Sequence, residues 1–187
     1  MKIKHGMILS AGFGKRMQPL TLKTPKPLLE IGGKTLLERA LNLLISHGVE
    51  EVSINVHHLS DKIEKFISNY KTKANIEISN EKDLLLDTGG GVKKATEQFN
   101  DKPFFVINPD TLWSEKYSKE INSLEKLYFE NEKPCLLLVK KEISLDKSFK
   151  GDFNLKDKLV FKSSKNQYIF TGLQIIERKN LNFKETK

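Results

Sequence analysis

A glycine-containing loop and nearby cations at the start of the chain have the composition of a phosphate-binding site. The apolar run Met7–Leu9 leads into Ser10–Arg16, which contains two glycines, and Lys26 follows between two prolines. Glycines let backbone N–H groups approach an anion closely, and an arginine guanidinium can bond two phosphate oxygens at once. The spacing therefore predicts a polyphosphate site that uses Arg16 and Lys26. The alternative is that both are ordinary surface cations.

An aspartate that ends an apolar run is a second candidate. The run Phe104–Ile107 leads through Asn108 and Pro109 to Asp110. A carboxylate in this position favours a bound cation, and Mg²⁺ commonly takes one or two carboxylates together with phosphate oxygens and water. We therefore expect Asp110 to hold Mg²⁺. The alternative is a capping aspartate in the turn that continues to Ser114.

Three consecutive glycines follow Asp87 and Thr88 and precede a helical pattern. The N–H groups and the positive dipole at the start of a helix would favour an anionic ligand there. A flexible glycine loop, or a lid, is the alternative interpretation. Ligands of α/β sheets bind outside the carboxyl ends of the strands, so Ser10–Arg16, Glu81–Gly91 and Asn108–Asp110 are expected to share one crevice. The glycine patterns of P-loops and of dinucleotide-binding folds are both absent from the sequence.

In their order along the chain, these motifs resemble the signature of the sugar-1-phosphate nucleotidyltransferases, the pyrophosphorylases that make nucleotide sugars. The resemblance runs from Met1 to about Ile176 and fits a bacterial branch that contains the N-acetylmuramate-1-phosphate uridylyltransferases. The motifs that carry it are Leu9–Thr21, Thr24–Leu28, Glu81, Asp87–Gly91, Asn108–Asp110, Gly151–Phe153 and Phe170–Gly172.

The resemblance implies a Mg²⁺-dependent enzyme that transfers a nucleoside monophosphate from a nucleoside triphosphate to a sugar-1-phosphate and releases pyrophosphate. The attacking phosphate oxygen is already anionic, so the protein must supply positioning and charge neutralisation rather than a general base. The resemblance assigns catalysis to Arg16, Lys26 and Asp110, with Asp110 as the metal ligand. It assigns substrate binding to Ser10, Ala11, Gly12, Gly14, Glu81, Thr88, Gly89, Asn108, Asp152 and Gly172.

Within this set the resemblance separates a nucleotide side from a sugar side. The base and ribose are expected along Asp87–Gly91, with Glu81 near the edge of the base, where a carboxylate could accept a hydrogen bond from uracil or guanine. Asp152 and Gly172 match the acceptor-sugar side, although Asp152 could instead be a turn residue.

The sequence departs from the family pattern at two places. Pro109 stands where relatives usually carry glycine, which removes a backbone N–H. The second metal-binding aspartate of the family has no counterpart after Ile176, where the acidic residues are Glu177 and Glu185. We therefore expect a chain that lacks the family's C-terminal segment, a site with one carboxylate, or a metal ligand from elsewhere.

Several substrates and two other function classes fit the pattern. The resemblance favours UTP with an N-acetylated amino sugar or muramate phosphate. GTP or dTTP with mannose- or glucose-1-phosphate, and phosphocholine cytidylyl transfer, are the next enzyme hypotheses. A nucleotide or sugar-phosphate sensor without turnover is the hypothesis from another class, and a basic nucleic-acid-binding protein is the third.

The elements that must position these residues alternate between strand and helix. Apolar patterns predict strands at 6–10, 52–56, 76–79, 103–108 and 135–139, and helices at 35–48, 60–70, 91–99 and 117–128. Beyond Lys150 the pattern changes to short strands separated by polar turns. This order predicts a Rossmann-like three-layer α/β/α sandwich with a mostly parallel mixed sheet and a small β-rich extension. We expect a single domain over residues 1–187.

The composition excludes several classes of protein. A chain of 187 residues with 38% hydrophobic and 30% charged residues fits one globular domain. No apolar run approaches the roughly 20 residues of a membrane span, and no signal peptide is recognisable, so we expect the cytoplasm. The net charge of +8 comes from scattered lysines, which fits anionic substrates or a solvated surface better than nucleic acid. We expect a monomer or homodimer whose partners are its substrates, and a structural role for Cys135.

Overall fold

A mixed β-sheet of six strands organises the described part of the chain. The computed structural model describes residues 1–181, so Glu185 and the end of the predicted domain lie outside the described residues. In chain order the strands are β1 (His5–Leu9), β2 (Glu30–Ile31), β3 (Lys34–Thr35), β4 (Glu51–Val56), β5 (Asn75–Asn80), β6 (Phe104–Ile107), β7 (Cys135–Lys140), β8 (Asn154–Lys156), β9 (Leu159–Phe161) and β10 (Tyr168–Ile176). The α-helices are α1 (Leu36–His47), α2 (Ser60–Asn69), α3 (Thr88–Ala95) and α4 (Ser118–Asn131). Over residues 1–181, no helix has the length and apolar character that crossing a bilayer requires.

The sheet has the strand order β5-β4-β1-β6-β10-β7. Strand β1 is parallel to β4 and to β6, and β4 is parallel to β5. Strand β10 runs antiparallel to both of its neighbours, β6 and β7. The predicted α/β fold with a mostly parallel mixed sheet is therefore confirmed. Because β1 lies between β4 and β6, the loops that follow these three strands meet at one edge of the sheet.

Side chains that alternate along the strands fill two apolar cores, one on each face of the sheet. On one face, α1, α2 and α4 pack against a cluster that includes Ile8 and Phe105. On the other face, α3 packs against a cluster that includes Met7 and Val106. Neighbouring residues of one strand thus serve opposite cores, as the two-residue period of a strand requires. This arrangement gives the three predicted layers.

The limits of α1 follow from local chemistry that the sequence displays. The hydroxyl of Thr35 accepts a hydrogen bond from the backbone N–H of Glu38 at 3.0 Å, which caps the helix at its start. Gly48 ends the helix at φ 106°, a left-handed conformation that favours glycine. Helix α2 starts at the predicted residue, Ser60, but Leu59 precedes it and no side-chain hydrogen bond caps it.

Helix α3 includes the three glycines, which corrects the prediction of a helix over 91–99. The carboxylate of Asp87 accepts a hydrogen bond from the N–H of Gly90 at 2.6 Å and so starts the helix at Thr88. The helix ends at Ala95, and Glu97–Phe99 forms a separate 3₁₀ turn. The N-terminal cap and tertiary packing therefore outweigh the low helix propensity of glycine, about 1 kcal/mol per residue relative to alanine.

The last strand occupies a different place from the one predicted for it. The short hairpin of β8 and β9 matches the expected β-rich extension. Strand β10 instead enters the main sheet, where Leu173 and Ile175 are in register with Ile107 and Phe105 of β6. Burial of this apolar run in the core accounts for the difference, since a period of two residues does not reveal which strand is the neighbour.

Cys135 lies buried in β7. Burial raises the pKa of its thiol above the ordinary value. Because the thiolate is the reactive form, this environment disfavours nucleophilic chemistry and fits the expected structural role.

Two buried histidines should make the stability of the fold depend on pH. Burial lowers the pKa of His5 and of His47 below 6.5, although Glu51 and Glu125 oppose the shift. In the unfolded chain these imidazoles bind protons at a higher pH, so the free energy of unfolding should fall as the pH drops below about 6.5. Each histidine can contribute up to about 1.4 kcal/mol per pH unit in this window.

Urea unfolding of wild type and His47→Asn at pH 7.5 and 5.5 checks this expectation. The variant should lose less stability than wild type over this range, because its amide does not titrate. An equal loss in both proteins would show that His47 does not carry the effect.

Candidate functional site

A cleft of about 1020 Å³ lies at the edge of the sheet where β1, β4 and β6 end. Its lining comes from five parts of the chain that are distant in sequence. These are residues between 9 and 17, between 26 and 36, at 55, at 85–88 and between 108 and 112. The three strand ends therefore bring the predicted segments together, as expected for a parallel sheet.

The glycine-containing loop is folded back onto Thr21. The backbone of Gly14 has φ 65°, and a Cβ there would lie 2.8 Å from the side chain of Thr21, so the position requires glycine. The Thr21 hydroxyl donates a hydrogen bond to the Gly14 carbonyl at 2.9 Å. The short 3₁₀ turn Lys15–Met17 follows and places Arg16 in the lining of the cleft.

Two histidines support this loop from the end of β4. A ring nitrogen of His58 lies 3.1 Å from the Thr21 carbonyl oxygen, and a ring nitrogen of His57 lies 2.8 Å from the Glu81 carbonyl oxygen. The Phe13 ring packs against both imidazoles, with centroid distances of 5.2 and 5.5 Å. The histidine pair is therefore a structural support of the loop, which its sequence context alone did not reveal.

An ion pair crosses the cleft between two of the predicted catalytic residues. The ammonium of Lys26 lies 2.5 Å from a carboxylate oxygen of Asp110, and their side chains are 25% and 40% exposed. Lys26 belongs to a 3₁₀ turn and stands between Pro25 and Pro27, both buried, which restrict its backbone. The pair places one cation and one carboxylate in direct contact at the mouth of the cleft.

The environment of Asp110 fits a divalent cation that has other ligands of its own. The position beside the carboxylate accepts positive charge, since the Lys26 ammonium occupies it. Across residues 1–181, no group of three or more histidine, cysteine, aspartate or glutamate side chains could hold a metal ion. Mg²⁺ binds such sparse sites through one or two carboxylates, with phosphate oxygens and water as the other ligands. A metal bound at Asp110 would therefore need phosphate or water oxygens as its other ligands.

Asn108 is fixed by its backbone. Its N–H donates to the Gly172 carbonyl at 2.8 Å, and its carbonyl accepts a hydrogen bond from the Trp113 indole at 2.7 Å. Gly172 has φ 88°, and a Cβ there would lie 2.8 Å from the Asn108 side chain. Gly172 thus supports Asn108 from behind and does not line the cleft. Trp113 was not identifiable from sequence, because no motif marks a single buried tryptophan.

The hydroxyl of Ser10 is buried and unpartnered. Ser10 is 2% exposed, its backbone N–H donates to the Asn55 side-chain oxygen at 2.8 Å, and it lines the cleft. Its Oγ has no hydrogen-bond partner in the described part of the protein. Buried hydroxyls are nearly always hydrogen-bonded, so this hydroxyl at the cleft is free to bond a ligand or water there.

Glu81 does not line the cleft, contrary to its expected place near a base. It is 1% exposed, one carboxylate oxygen accepts a hydrogen bond from the Asn55 amide at 2.8 Å, and the other accepts the Leu86 N–H at 3.0 Å. Helix α3 closes over this pair, since a Cβ at Gly91 would lie 2.9 Å from both Asn55 and Glu81. Both carboxylate oxygens of Glu81 therefore accept hydrogen bonds from the protein, and the side chain is buried away from the cleft.

The remaining predicted residues divide between the cleft and its surroundings. Thr88 lines the cleft at the N-terminus of α3, and Gly89 follows it in the first helical turn. Asp152 lies outside the cleft, where its carboxylate accepts the Phe170 N–H at 2.8 Å, and this matches the alternative of a turn residue. The predicted residues that share the cleft are Ser10, Ala11, Gly12, Gly14, Arg16, Lys26, Thr88, Asn108 and Asp110.

Comparison with known proteins finds relatives in sequence. The family described as nucleotidyl transferase matches residues 5–142. An N-acetylmuramate alpha-1-phosphate uridylyltransferase from Caulobacter vibrioides is 35% identical over 153 residues, which are 80% of this chain and 63% of that protein. A mannose-1-phosphate guanyltransferase from Gibberella zeae is 39% identical over 111 residues, 57% of this chain and 30% of that protein. The chain thus spans less than two thirds of the length of either relative.

Comparison with solved structures finds the same fold. The inositol-1-phosphate CTP transferase from T. maritima superimposes with a TM-score of 0.80 at 19% sequence identity. The match covers 100% of this chain and 76% of the other. At this identity the likeness supports the architecture alone.

Substitution of Ser10 should separate an unpartnered hydroxyl from a partnered one. Ser10→Ala removes no hydrogen bond, so it should leave the free energy of unfolding within about 0.5 kcal/mol of wild type or raise it. Thr21→Val is the matched contrast, because it removes the bond to Gly14 and should cost about 1–2 kcal/mol. Urea unfolding measures both. A loss in Ser10→Ala equal to that in Thr21→Val would contradict the unpartnered state.

Proposed function

Since the chain belongs to the nucleotidyl transferase family, we propose that it transfers a nucleoside monophosphate from a nucleoside triphosphate to a sugar-1-phosphate. The observation that carries this proposal is the convergence of three features in one cleft: the glycine loop, Arg16 and the Lys26–Asp110 pair. Together they offer backbone N–H groups, two cations and one carboxylate to a triphosphate and its metal. We further propose that the chain forms one nucleotidyltransferase domain.

The proposed reaction exchanges one phosphoanhydride bond for another. An anionic oxygen of the sugar-1-phosphate attacks the α-phosphorus and forms a new P–O bond. The bond from the α-phosphorus to the bridging oxygen breaks, and pyrophosphate leaves with the electron pair. No proton needs to be removed from the attacking oxygen, so the protein contributes positioning and charge stabilisation.

The residues of the cleft divide these tasks. Backbone N–H groups at Ala11, Gly12 and Gly14 would hold the triphosphate, and Arg16 would bond the departing pyrophosphate through two parallel hydrogen bonds. Lys26 would neutralise charge at the α-phosphate. Asp110 would hold Mg²⁺, which supplies neutralisation of phosphate charge when it is bound.

This assignment requires Lys26 and Asp110 to exchange partners. In the ligand-free cleft the two charges neutralise each other at 2.5 Å. In the proposed complex the ammonium faces phosphate and the carboxylate faces the metal. Both new partners carry charge opposite to the side chain, so each group replaces one strong electrostatic contact with another.

For the substrates, we propose UTP and the 1-phosphate of an N-acetylated amino sugar or of muramate. The uridylyltransferase from Caulobacter vibrioides, at 35% identity, supports this pairing. The second candidate is GTP with mannose-1-phosphate, supported by the guanyltransferase at 39% identity over a shorter match. A nucleotide or sugar-phosphate binding protein without turnover is the rival from another class.

Pyrophosphate release over a grid of four nucleotides (UTP, GTP, CTP and dTTP) and several sugar-1-phosphates, with Mg²⁺, tests the proposal. One pair should turn over well above the others. Asp110→Asn should reduce that turnover by about a hundredfold or more, because the substituted amide binds metal poorly. Asp101→Asn, at an exposed aspartate outside the cleft, is the matched control and should retain wild-type activity. Saturable nucleotide binding without turnover for any pair would favour the binding protein.

Arg16→Ala tests the assignment of the departing pyrophosphate to Arg16. Charge develops on this group in the transition state, so kcat should fall by about a hundredfold while the nucleotide Kd rises less than tenfold. Arg16→Lys keeps the charge but loses the paired hydrogen bonds, and its kcat should be intermediate. Steady-state kinetics and nucleotide titration supply the two numbers. An unchanged kcat with weakened binding would place Arg16 in ground-state binding only.

A further inference from the structure

Three consecutive hydrogen bonds connect two walls of the cleft through buried side chains beneath its floor. The Ser10 N–H donates to the Asn55 oxygen at 2.8 Å, the Asn55 amide donates to Glu81 at 2.8 Å, and the Leu86 N–H donates to Glu81 at 3.0 Å. Ser10 begins the glycine loop, which forms one wall of the cleft, and Leu86 belongs to segment 85–88, which forms a second wall. Asn55, within β4, and Glu81, directly after β5, therefore link the start of the glycine loop to the segment before α3.

These groups are removed from water. Ser10, Asn55 and Glu81 are 2%, 4% and 1% exposed. A buried carboxylate is costly unless its oxygens are hydrogen-bonded, and both oxygens of Glu81 are. Gly91 of α3 covers the pair so closely that any side chain there would displace it. The geometry of the two walls thus depends on the Glu81 carboxylate, which would lose its hydrogen-bond donors if it moved.

We propose that Glu81 is a positioning residue that fixes both walls of the cleft and makes no contact with the nucleobase of the substrate. It acts on Ser10 through Asn55, and on Leu86 directly. The inference deepens the proposed function and rests on it, because the cleft walls matter only if a nucleotide binds between them. It predicts that loss of Glu81 weakens the binding of all nucleotides by the same factor. A contact between Glu81 and the nucleobase would instead change the preference among nucleotides.

The direction of the hydrogen bonds permits a sharp test. Asn55 accepts from Ser10 and donates to Glu81, so it must present one acceptor and one donor. Asn55→Asp replaces the donor with an oxygen that faces the Glu81 carboxylate. Glu81→Gln replaces one oxygen with an amide group, so either Asn55 or the Leu86 N–H loses its acceptor.

The double variant Asn55→Asp with Glu81→Gln reverses the middle bond. The introduced carboxylate accepts from the Ser10 N–H and from the introduced amide, whose own oxygen accepts the Leu86 N–H. All three bonds are restored, and the net charge equals that of wild type. Asp83→Asn is the matched control, because it removes a carboxylate from an exposed position on the same loop.

Calorimetric titration with UTP, GTP, CTP and dTTP, each with Mg²⁺, measures the effect on binding. Each single variant should raise Kd on the order of tenfold, by the same factor for every nucleotide. The double variant should return to within about threefold of wild type, and Asp83→Asn should match wild type. A change in the preference among nucleotides, or a double variant no better than Glu81→Gln, would overturn the proposal.

Amide hydrogen exchange in the ligand-free protein separates this inference from the proposed function. The Ser10 and Leu86 amides should exchange about tenfold faster in the single variants and regain protection in the double variant. Unchanged protection in both single variants would refute the positioning role whatever the binding data show. If wild type bound none of the nucleotides, the proposed function would fail, while the exchange rates would still decide the role of Glu81. A circular dichroism melt verifies that each variant is folded.

Discussion

The buried carboxylate of Glu81 is the constraint on which the geometry of the cleft depends. Within residues 1–181 no cation pairs with it, so hydrogen-bond donors alone stabilise its charge. The donors come from Asn55 in β4 and from the backbone of Leu86, and Asn55 also accepts the Ser10 N–H at the start of the glycine loop. Helix α3 lies so close to this group that a Cβ at position 91 would force Asn55 and Glu81 to shift. The Glu81 carboxylate thus contacts the sheet through Asn55, the following loop through Leu86, and helix α3 at Gly91.

The charged groups at the mouth of the cleft are stabilised differently from the carboxylate below its floor. Below the floor of the cleft, the Glu81 carboxylate is buried and, among the described residues, is stabilised by neutral hydrogen-bond donors rather than by a cation. At the mouth, Lys26 and Asp110 neutralise each other in partial contact with water, and Arg16 and Lys15 add positive charge to the lining. The charged side chains of the lining are therefore concentrated at the open end of the cleft.

The features that are predictable from the sequence are those controlled by local interactions. Alternating apolar patterns and the loops at strand ends predicted the fold class and the meeting of the glycine loop with Asp110 in one cleft. The features that are not predictable depend on contacts between residues distant in sequence. The inward orientation of Glu81 depends on the approach of Gly91, and the helix through the three glycines depends on the Asp87 cap and on packing. No periodicity in the sequence records these contacts. The chemical roles of the cleft residues stay predictions.

The antiparallel insertion of β10 has a consequence for how the protein acquires its cleft during folding. Strand β6 pairs with residues of β10 that follow it by more than sixty positions. Strand β7 precedes β10 in the chain but joins the sheet only through its pairing with β10. Such long-range pairing is slow to form, because a large loop must close before any contact compensates for it. The backbone of Asn108 is tied to Gly172 of this late strand. The backbone of Asn108, which lines the cleft, therefore cannot reach its final pairing before residue 172 has been synthesised.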